Sequence, residues 1–563
     1  MQNEVNGFLR ADGQKLVNGE GQEVLLRGVG FGSWMLPEGY MWRFPAGGDR
    51  PRRIERMIVE LVGEAKADEF WDLYYDRYVT EADIQQIAAD GYNSVRVPIH
   101  YRFLLEEGSP VRCKEKRLKL IDEVIAWCRT HRLYVVLDLH GAPGGQTGAN
   151  IDDSEHDQPE LFMKEEHQQA TIELWRILAD RYKDEWIVAG YDLLNEPLPE
   201  WFSQYNPLVM PLYRDIIAAI REVDDRHMII LEGAHWATDW SIFDVPPDDN
   251  LMLQFHKYWN NPDTESIQKF LDKQQEWQVP IYMGEGGENN INWYAGAFQL
   301  YEDHNISWNF WTWKKMDTDN SPFSIDKPEG WHLLVAYLEG GAKPDPETAE
   351  RILWTYLDHM KIENCKAYPE VTRSLLRRAP VRIPAIFYGY KGPGISYKVN
   401  HPVNRSQAND LDMQDKEMRR CLGFRENDGT DIRFITGQRT TANFQHGGGE
   451  PWQDDEKMCV QLEVDDWLAY DFTTGPDSEA SSFFFLIRAF GVGSPDPAIG
   501  KLQVDLDGKH LNPISIITEQ WAVYRVSDER SAVSLSPGSH RLVVTAKGCP
   551  IRIEWLEIKC SKP

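Results

Sequence analysis

Short apolar runs, each ending in polar or charged residues, recur through the first two thirds of the chain. They fall at residues 24–30, 93–99, 134–140, 188–194, 227–232, 251–258, 280–285 and 306–313. Between them, apolar residues return every three to four positions, the spacing of a helix with one buried face. Residues 115–131 show it clearly, with Leu118, Ile121, Val124, Ile125 and Cys128 on one side. Further helices are predicted near 164–182, 211–223, 264–277, 293–304, 331–338 and 347–360. Thr80 followed by Asp83 reads as a capping box opening another, with Ile84, Ile87 and Ala88 on its inner face. Near-continuous apolar strands alternating with helices predict a parallel sheet buried on both sides. The number of repeats predicts a (β/α)₈ TIM barrel over residues 1–375. Residues 7–17, with Asp12-Gly13 at the turn, predict a hairpin that plugs one end of it. Residues 31–68 show no clear period and are read as a long irregular loop containing Trp34, Tyr40, Trp42 and Phe44.

Beyond Ala379-Pro380 the helical period disappears. Residues 460–464, 467–472, 482–490, 501–506, 521–526, 540–545 and 551–558 alternate as strands, with Asp507-Gly508, Pro537-Gly538 and Lys547-Gly548 supplying turns. This pattern predicts an all-β sandwich of jelly-roll type over residues 376–563.

Composition narrows the partners. A formal charge of -29 opposes binding to a phosphate backbone, so nucleic acid is excluded as a partner. The 21 tryptophans suit large cores and also carbohydrate-binding clefts. Seven cysteines, none in a C-x-x-C pair, indicate neither a zinc knuckle nor a disulfide framework. No apolar run approaches the length of a membrane span. Residues 1–20 lack the apolar core of a signal peptide. The expectation is a cytoplasmic protein, or a secreted one if a leader has been removed.

The candidate chemistry lies where the predicted barrel strands end. There the chain places Arg96, His140, Asn195, Glu196, Glu232, His256, Tyr258, Glu285, Trp311 and Trp313. The carboxyl ends of barrel strands are where such folds do chemistry. Glu196 and Glu285 close two different strands, and two carboxylates are the minimum set for glycoside hydrolysis. A glycosidic oxygen leaves poorly unless protonated, so one carboxyl keeps its proton while the other stays charged. Neither metal nor cofactor is needed for this chemistry. Each residue also has a plain structural reading: Arg96 as an ion pair, His140 and His256 as satisfied core histidines, Glu232 as structural or substrate-binding. Glu288 is a rival nucleophile three residues past Glu285. Trp34 and Trp42 are either sugar platforms or loop packing.

The strings Ser94-Val95-Arg96-Val97-Pro98, Leu137-Asp138-Leu139-His140-Gly141, Leu194-Asn195-Glu196-Pro197, Phe255-His256-Lys257-Tyr258, Met283-Gly284-Glu285 and Phe310-Trp311-Thr312-Trp313 resemble glycoside hydrolase family 5, in that family's order. The loop from His140 through Gly141-Ala142-Pro143-Gly144-Gly145 to Gln146 is most similar to its exo-β-1,3-glucanase branch. The resemblance implies Glu196 as acid/base and Glu285 as nucleophile. It implies that Arg96 and Tyr258 hold the nucleophile ionised, and that Asn195 bonds the sugar 2-hydroxyl. His140 and His256 would line the subsite and Trp311 would floor it. Trp313, Glu232 and Trp34 join the expected substrate-binding set. The sandwich resembles carbohydrate-binding modules of the family 6 and 35 type, on residues 464–470 and 553–558. Trp452 is the binding candidate there and Trp555 the core candidate. The expected activity is a retaining β-glycosidase acting on a glucan or β-glucoside, of exo-β-1,3 type. Endo-β-1,4-glucanase, glycolipid or aryl β-glucosidase, and non-catalytic carbohydrate binding stand as alternatives. Oligomeric state is left open.

Overall fold

The structure is a computed structural model that describes residues 4–106, 111–404, 418–475, 482–493, 500–518, 520–526 and 532–561. Eight parallel strands close into a barrel. In chain order they are β1 (Arg27–Gly30), β2 (Ser94–His100), β3 (Tyr134–Gly141), β4 (Val188–Asp192), β5 (Met228–Glu232), β6 (Leu251–His256), β7 (Ile281–Gly287) and β8 (Ser307–Trp311). From β2 to β8 every residue of every strand is buried, as two covered faces require. Arg10–Asp12 and Lys15–Val17 form the predicted hairpin. Ala11 donates to Asn250 Oδ1 at 2.9 Å, just before β6, so the hairpin sits at the amino-terminal end of the strands, away from the chemistry.

The expected irregular stretch contains the whole of one helix, α1 (Pro51–Val62), and the start of a second, α2 (Glu64–Tyr78). Pro51 at the first turn suits a helix start, since its missing N–H would lack a partner there anyway. Ile54, Met57, Ile58 and Leu61 return at helical spacing and are buried. The helix α3 (Glu81–Ala89) has the predicted capping box: Asp83 Oδ2 accepts from the Thr80 N–H at 2.9 Å. After a single turn at Tyr101–Leu104 come two longer helices, α4 (Glu115–His131) and α5 (Glu165–Tyr182).

An aromatic cluster fastens the first loop. Trp42 lies within 6.3 Å, centroid to centroid, of Phe70, Trp71, Tyr74, Trp331 and Tyr356. Its carbonyl accepts from Trp331 Nε1 at 2.9 Å, and Phe44 stacks on Trp331 at 5.0 Å. Trp42 is therefore packing. So is Trp34, expected at the substrate: it is buried, and its indole N–H donates to the Tyr75 carbonyl at 2.9 Å.

Two compact units emerge from the chain contacts. The first comprises residues 1–257, 269–287 and 306–368, and the second 258–268, 288–305 and 369–563. The change therefore falls a little before the expected 375/376 division, and two segments that follow barrel strands group with the C-terminal part.

The strand ladders described in the C-terminal part are antiparallel. One sheet joins β9 (Val381–Pro384), β10 (Asp431–Phe434), β11 (Met458–Leu462), β13 (Ser482–Gly491), β15 (Ala522–Arg525) and β17 (Ile551–Ser561). The other is built on β12 (Trp467–Thr474), β14 (Lys501–Leu506) and β16 (Gly538–Lys547). Strict alternation of buried and half-exposed residues along β14 and β16 gives each one inner face. Phe472 and Phe485, from the two sheets, meet at 6.2 Å. Trp452 is buried against Phe387 and Phe444, so the expected binding residue is a core residue. Trp555 is half-buried on β17, under the Arg382 guanidinium at 4.3 Å. No helix among the described residues is long and apolar enough to cross a membrane.

Candidate active site

Side chains alternate along a strand, so residues two apart on one barrel strand project into the same interior. Asp138 and His140 on β3, and Gln254 and His256 on β6, do so, and they converge on Arg96 from β2. Arg96 is fully buried and surrounded by carboxylates. Its Nε donates to Asp192 Oδ2 at 2.9 Å, and its Nη2 to Asn195 Oδ1 at 2.9 Å and Glu232 Oε1 at 3.1 Å. Nη2 also stands 3.1 Å from Asp138 Oδ2, and Nη1 donates to Glu285 Oε1. Burial opposes the guanidinium charge. Asp138, Asp192, Glu285 and Glu232 outweigh it and raise the Arg96 pKa well above its usual range.

Glu196 and Glu285 meet as the sequence predicts. One carboxylate oxygen of each, with one ring nitrogen of His256, lie within 4.8 Å of one another. The Nδ1 of His256 is 2.7 Å from Glu196 Oε1 and 3.6 Å from Glu285 Oε2. The two glutamates have different surroundings. Glu285 is tied to the Arg96 guanidinium, a fixed positive charge. No guanidinium among the described residues pairs with Glu196, and burial raises its pKa against the pull of His256. For His256 itself burial opposes the charge, but Glu232, Glu285 and Glu196 raise its pKa well above the usual range. Both shifts favour a proton at the Glu196–His256 contact. The three groups could also offer ligand atoms to a divalent cation. Arg96, already bonded to Glu285, competes electrostatically with that use.

The backbone at Glu196 is left-handed, with φ 46°. A non-glycine residue there costs on the order of 1–2 kcal/mol. Its N–H donates to Glu232 Oε2 at 2.7 Å, which holds the residue in that conformation. Glu232 is fully buried and also accepts from Arg96 and Gln254. It therefore positions Arg96 and Glu196 from beneath, and the expected contact with substrate is corrected to a supporting role. Gln146 ties Asn195 to His140: its Nε2 donates to the Asn195 carbonyl at 2.9 Å and to the His140 carbonyl at 2.8 Å. Because Arg96 occupies Asn195 Oδ1, the amide NH₂ is the end left toward His140 Nε2, 3.5 Å away.

His140 Nδ1 is 2.8 Å from Asp138 Oδ2. Burial opposes its charge, but Asp138 and Glu285 push its pKa up to about 9. Its ring stacks on Trp311 at 5.3 Å and 3°. Trp311 Nε1 donates to the Tyr40 hydroxyl at 2.9 Å, and Tyr40 is 40% exposed, so the first loop reaches the site through Tyr40 and not through Trp34. Trp313 is also corrected. It is buried, with Nε1 donating to Asp83 Oδ1 at 3.0 Å beside the ion pair of Lys314 and Asp83, and it supports the barrel wall. Tyr258 lies two residues past β6; its carbonyl accepts from Asn289 Nδ2 at 3.1 Å. Glu288, the rival nucleophile, lies beyond the end of β7.

Asp138, Asp192 and Gln254 were not singled out from the sequence. Their signal was available: polar residues inside otherwise apolar buried strands, two positions before His140 and His256 and three before Asn195. Trp201 was also missed. It is 64% exposed, five residues after Glu196, with its ring 5.8 Å from that of Trp236, four residues after Glu232.

Residues 61–317 match the family model of cellulase (glycosyl hydrolase family 5). The barrel belongs to glycosyl hydrolase family 5. Similar proteins include a beta-xylosidase of Phanerodontia chrysosporium, 28% identical over 54% of this chain and 71% of that protein. Endoglucanase C of Acetivibrio thermocellus is 25% identical over 43% of this chain and 86% of its own length. A glucan 1,3-beta-glucosidase of Candida oleophila is 30% identical over 42% of this chain and 57% of that protein. The family 5 barrel is a glycoside hydrolase domain, and the paired glutamates lie at the carboxyl ends of its strands.

Proposed function

We propose that the chain is a retaining, exo-acting β-glycosidase with Glu285 as nucleophile and Glu196 as acid/base. The observation that carries the reading is the separation of the pair: their nearest oxygens lie within 4.8 Å. Retaining enzymes keep their carboxyl groups about 5–5.5 Å apart, whereas inverting enzymes need about 6.5–9.5 Å to seat a water. In the first step a Glu285 oxygen attacks the anomeric carbon. The glycosidic bond breaks, and Glu196 gives its proton to the departing oxygen. In the second step Glu196 takes a proton from water, which attacks the same carbon and releases Glu285. Arg96 stabilises the Glu285 carboxylate on its return, and the Asn195 amide donates to a sugar hydroxyl. Trp311, stacked on His140, supplies an apolar wall for the ring. Exposed Trp201 offers a face to the leaving portion.

For the substrate we favour a β-glucosidic linkage at the end of a glucan or in a β-glucoside. The glucan 1,3-beta-glucosidase relatives and the loop from His140 to Gln146 support it. A β-xyloside is the second reading, favoured by the beta-xylosidase relative, which aligns over more of this chain than the other two. Glu285→Ala and Glu196→Ala should each lower turnover of an aryl β-glycoside by roughly 10²- to 10⁴-fold. Azide should restore product in both, as the α-glycosyl azide with Glu285→Ala and the β-anomer with Glu196→Ala. Folded variants that keep full activity, or wild-type product released with inverted configuration, would end the assignment.

A further inference from the structure

The loops that follow β3, β4 and β5 are joined by backbone bonds. The Leu198 N–H donates to the Gln146 carbonyl at 3.2 Å, and the His235 N–H to the Leu198 carbonyl at 2.7 Å. Leu198 comes two residues after Glu196, so this seam begins beside the proposed acid/base. Just past the seam each of the last two loops carries a tryptophan, Trp201 on one and Trp236 on the other. Their rings meet at 5.8 Å and 65°, so the two planes form a corner. Trp201 is 64% exposed. None of the nine residues of Glu200–Leu208 is buried, although Trp201, Phe202, Tyr205 and Leu208 are among them. A lone exposed apolar residue is ordinary, but a run of them marks a contact site. The backbone beneath Trp236 is strained: His235, Trp236 and Ala237 have φ of 51°, 57° and 64°. Left-handed geometry is unfavourable for such residues and persists only where the surroundings impose it. Here Ala234 and Asp239 exchange backbone bonds at 3.1 and 2.8 Å, and the Thr238 hydroxyl donates to the His235 carbonyl at 2.7 Å. The fold thus fixes an aromatic corner that its own core does not use.

Chemistry indicates what the corner would hold. Glu196 gives its proton to the departing oxygen, so the seam that starts at Glu196 runs along the leaving group's side. Residues 198–208 and 233–239 contain neither lysine nor arginine; their carboxylates are Glu200 and Asp239. Asp239 accepts from the Ser241 N–H at 3.0 Å, and nearby Lys269 is held by the Thr238 carbonyl at 2.6 Å. An anionic leaving group would meet Glu200 without a compensating cation on either turn. A small leaving group would leave both indoles uncovered. A neutral leaving group with a flat apolar ring face, whether the next sugar of a chain or an aryl group, suits the corner on both counts. We propose that Trp201 and Trp236 form a leaving-group platform and make the enzyme selective for neutral, ring-bearing leaving groups. The proposal rests on the glycosidase reading of Glu196 and Glu285.

The test compares leaving groups on the full chain. β-Glucosyl and β-xylosyl fluoride fill the sugar site but release only fluoride, so they leave the corner empty. Nitrophenyl β-glucoside and β-xyloside place an aryl ring there, and laminaribiose, cellobiose and xylobiose place a sugar. The variants are Trp201→Ala, Trp201→Phe and Trp236→Phe, with matching thermal melts to establish that each is folded. In Trp201→Ala, kcat/KM for the ring-bearing substrates should fall roughly 5- to 50-fold, the effect of one lost stacking contact. Its kcat/KM for the fluorides should stay within about twofold of wild type. Trp201→Phe, which keeps a ring, should recover most of the loss, and Trp236→Phe should lose less than Trp201→Ala. A fall confined to the disaccharides identifies a sugar on the platform, and one confined to the nitrophenyl glycosides an aryl group. Equal losses on fluorides and ring-bearing substrates, or no loss on either, would overturn the platform and leave the catalytic pair standing. A wild-type chain inert on the fluorides and on every glycoside would overturn the glycosidase reading, and the platform with it.

Discussion

Arg96→Met keeps a side chain of similar length and removes its charge. In the native site that charge faces Asp138, Asp192, Glu232 and Glu285, and the residue is fully buried. Removing one partner of a buried ion pair costs about 3–5 kcal/mol, because the other charge is left unpaired. Here several carboxylates lose one shared counter-charge, so the upper end, about 5 kcal/mol, is expected near pH 8. The cost depends on pH. Buried carboxylates without a guanidinium have folded-state pKa values above their unfolded ones; they stabilise the fold when protonated and lose that contribution as pH rises. The deficit of the variant should therefore shrink toward about 2 kcal/mol at pH 5, each unit of pKa being worth about 1.4 kcal/mol. Differential scanning calorimetry from pH 5 to 8 measures this as a lowered transition, by roughly 10 °C at the alkaline end. Turnover should fall by at least about 100-fold, since Glu285 loses its charged partner. A variant that melts with wild type at pH 8, or a deficit independent of pH, would refute the account of Arg96 as the shared counter-ion.

Glu232→Gln should lower kcat by roughly 10- to 100-fold with KM little changed, because Glu232 holds Glu196 and Arg96 without facing substrate; steady-state kinetics on an aryl glycoside checks it. His140 has a folded pKa of about 9 against an ordinary 6.5, so its contribution is complete below pH 6.5 and lost as pH rises toward 9. His140→Gln should remove that alkaline loss from a stability–pH profile, and an unchanged profile would contradict it. Trp34→Phe and Trp313→Phe each delete one buried hydrogen bond. Both should cost about 1–2 kcal/mol in denaturant unfolding while kcat/KM stays within about twofold.

The barrel was readable because burial on both faces forces long apolar runs, and the proposed pair because each glutamate abruptly ends such a run. Positions facing the interior from inside a strand were harder. Asp138, Asp192 and Gln254 look like stray polar residues until the closed sheet brings them around Arg96. Trp34 and Trp313 misled for the opposite reason. A tryptophan near a strand end serves a sugar or a core equally well by type, and the difference lies in where its N–H finds a partner. The helix α1 was legible in the spacing of Ile54, Met57, Ile58 and Leu61, but the aromatic residues before it drew the segment toward a loop. The Glu196–Glu232 contact had no local signal, since it joins residues 36 apart through a backbone N–H.

The clasp between Trp42 and Trp331 joins residues 289 positions apart. At about 5–20 residues per second, a ribosome needs roughly 15 to 60 s to make the intervening chain. For that interval the nascent protein carries Trp42 and its aromatic neighbours on α2 without the partners that later cover them. Newly made chains are then exposed to capture by chaperones or by one another, and the exposure outlasts the synthesis of both glutamates, since Glu285 precedes Trp331.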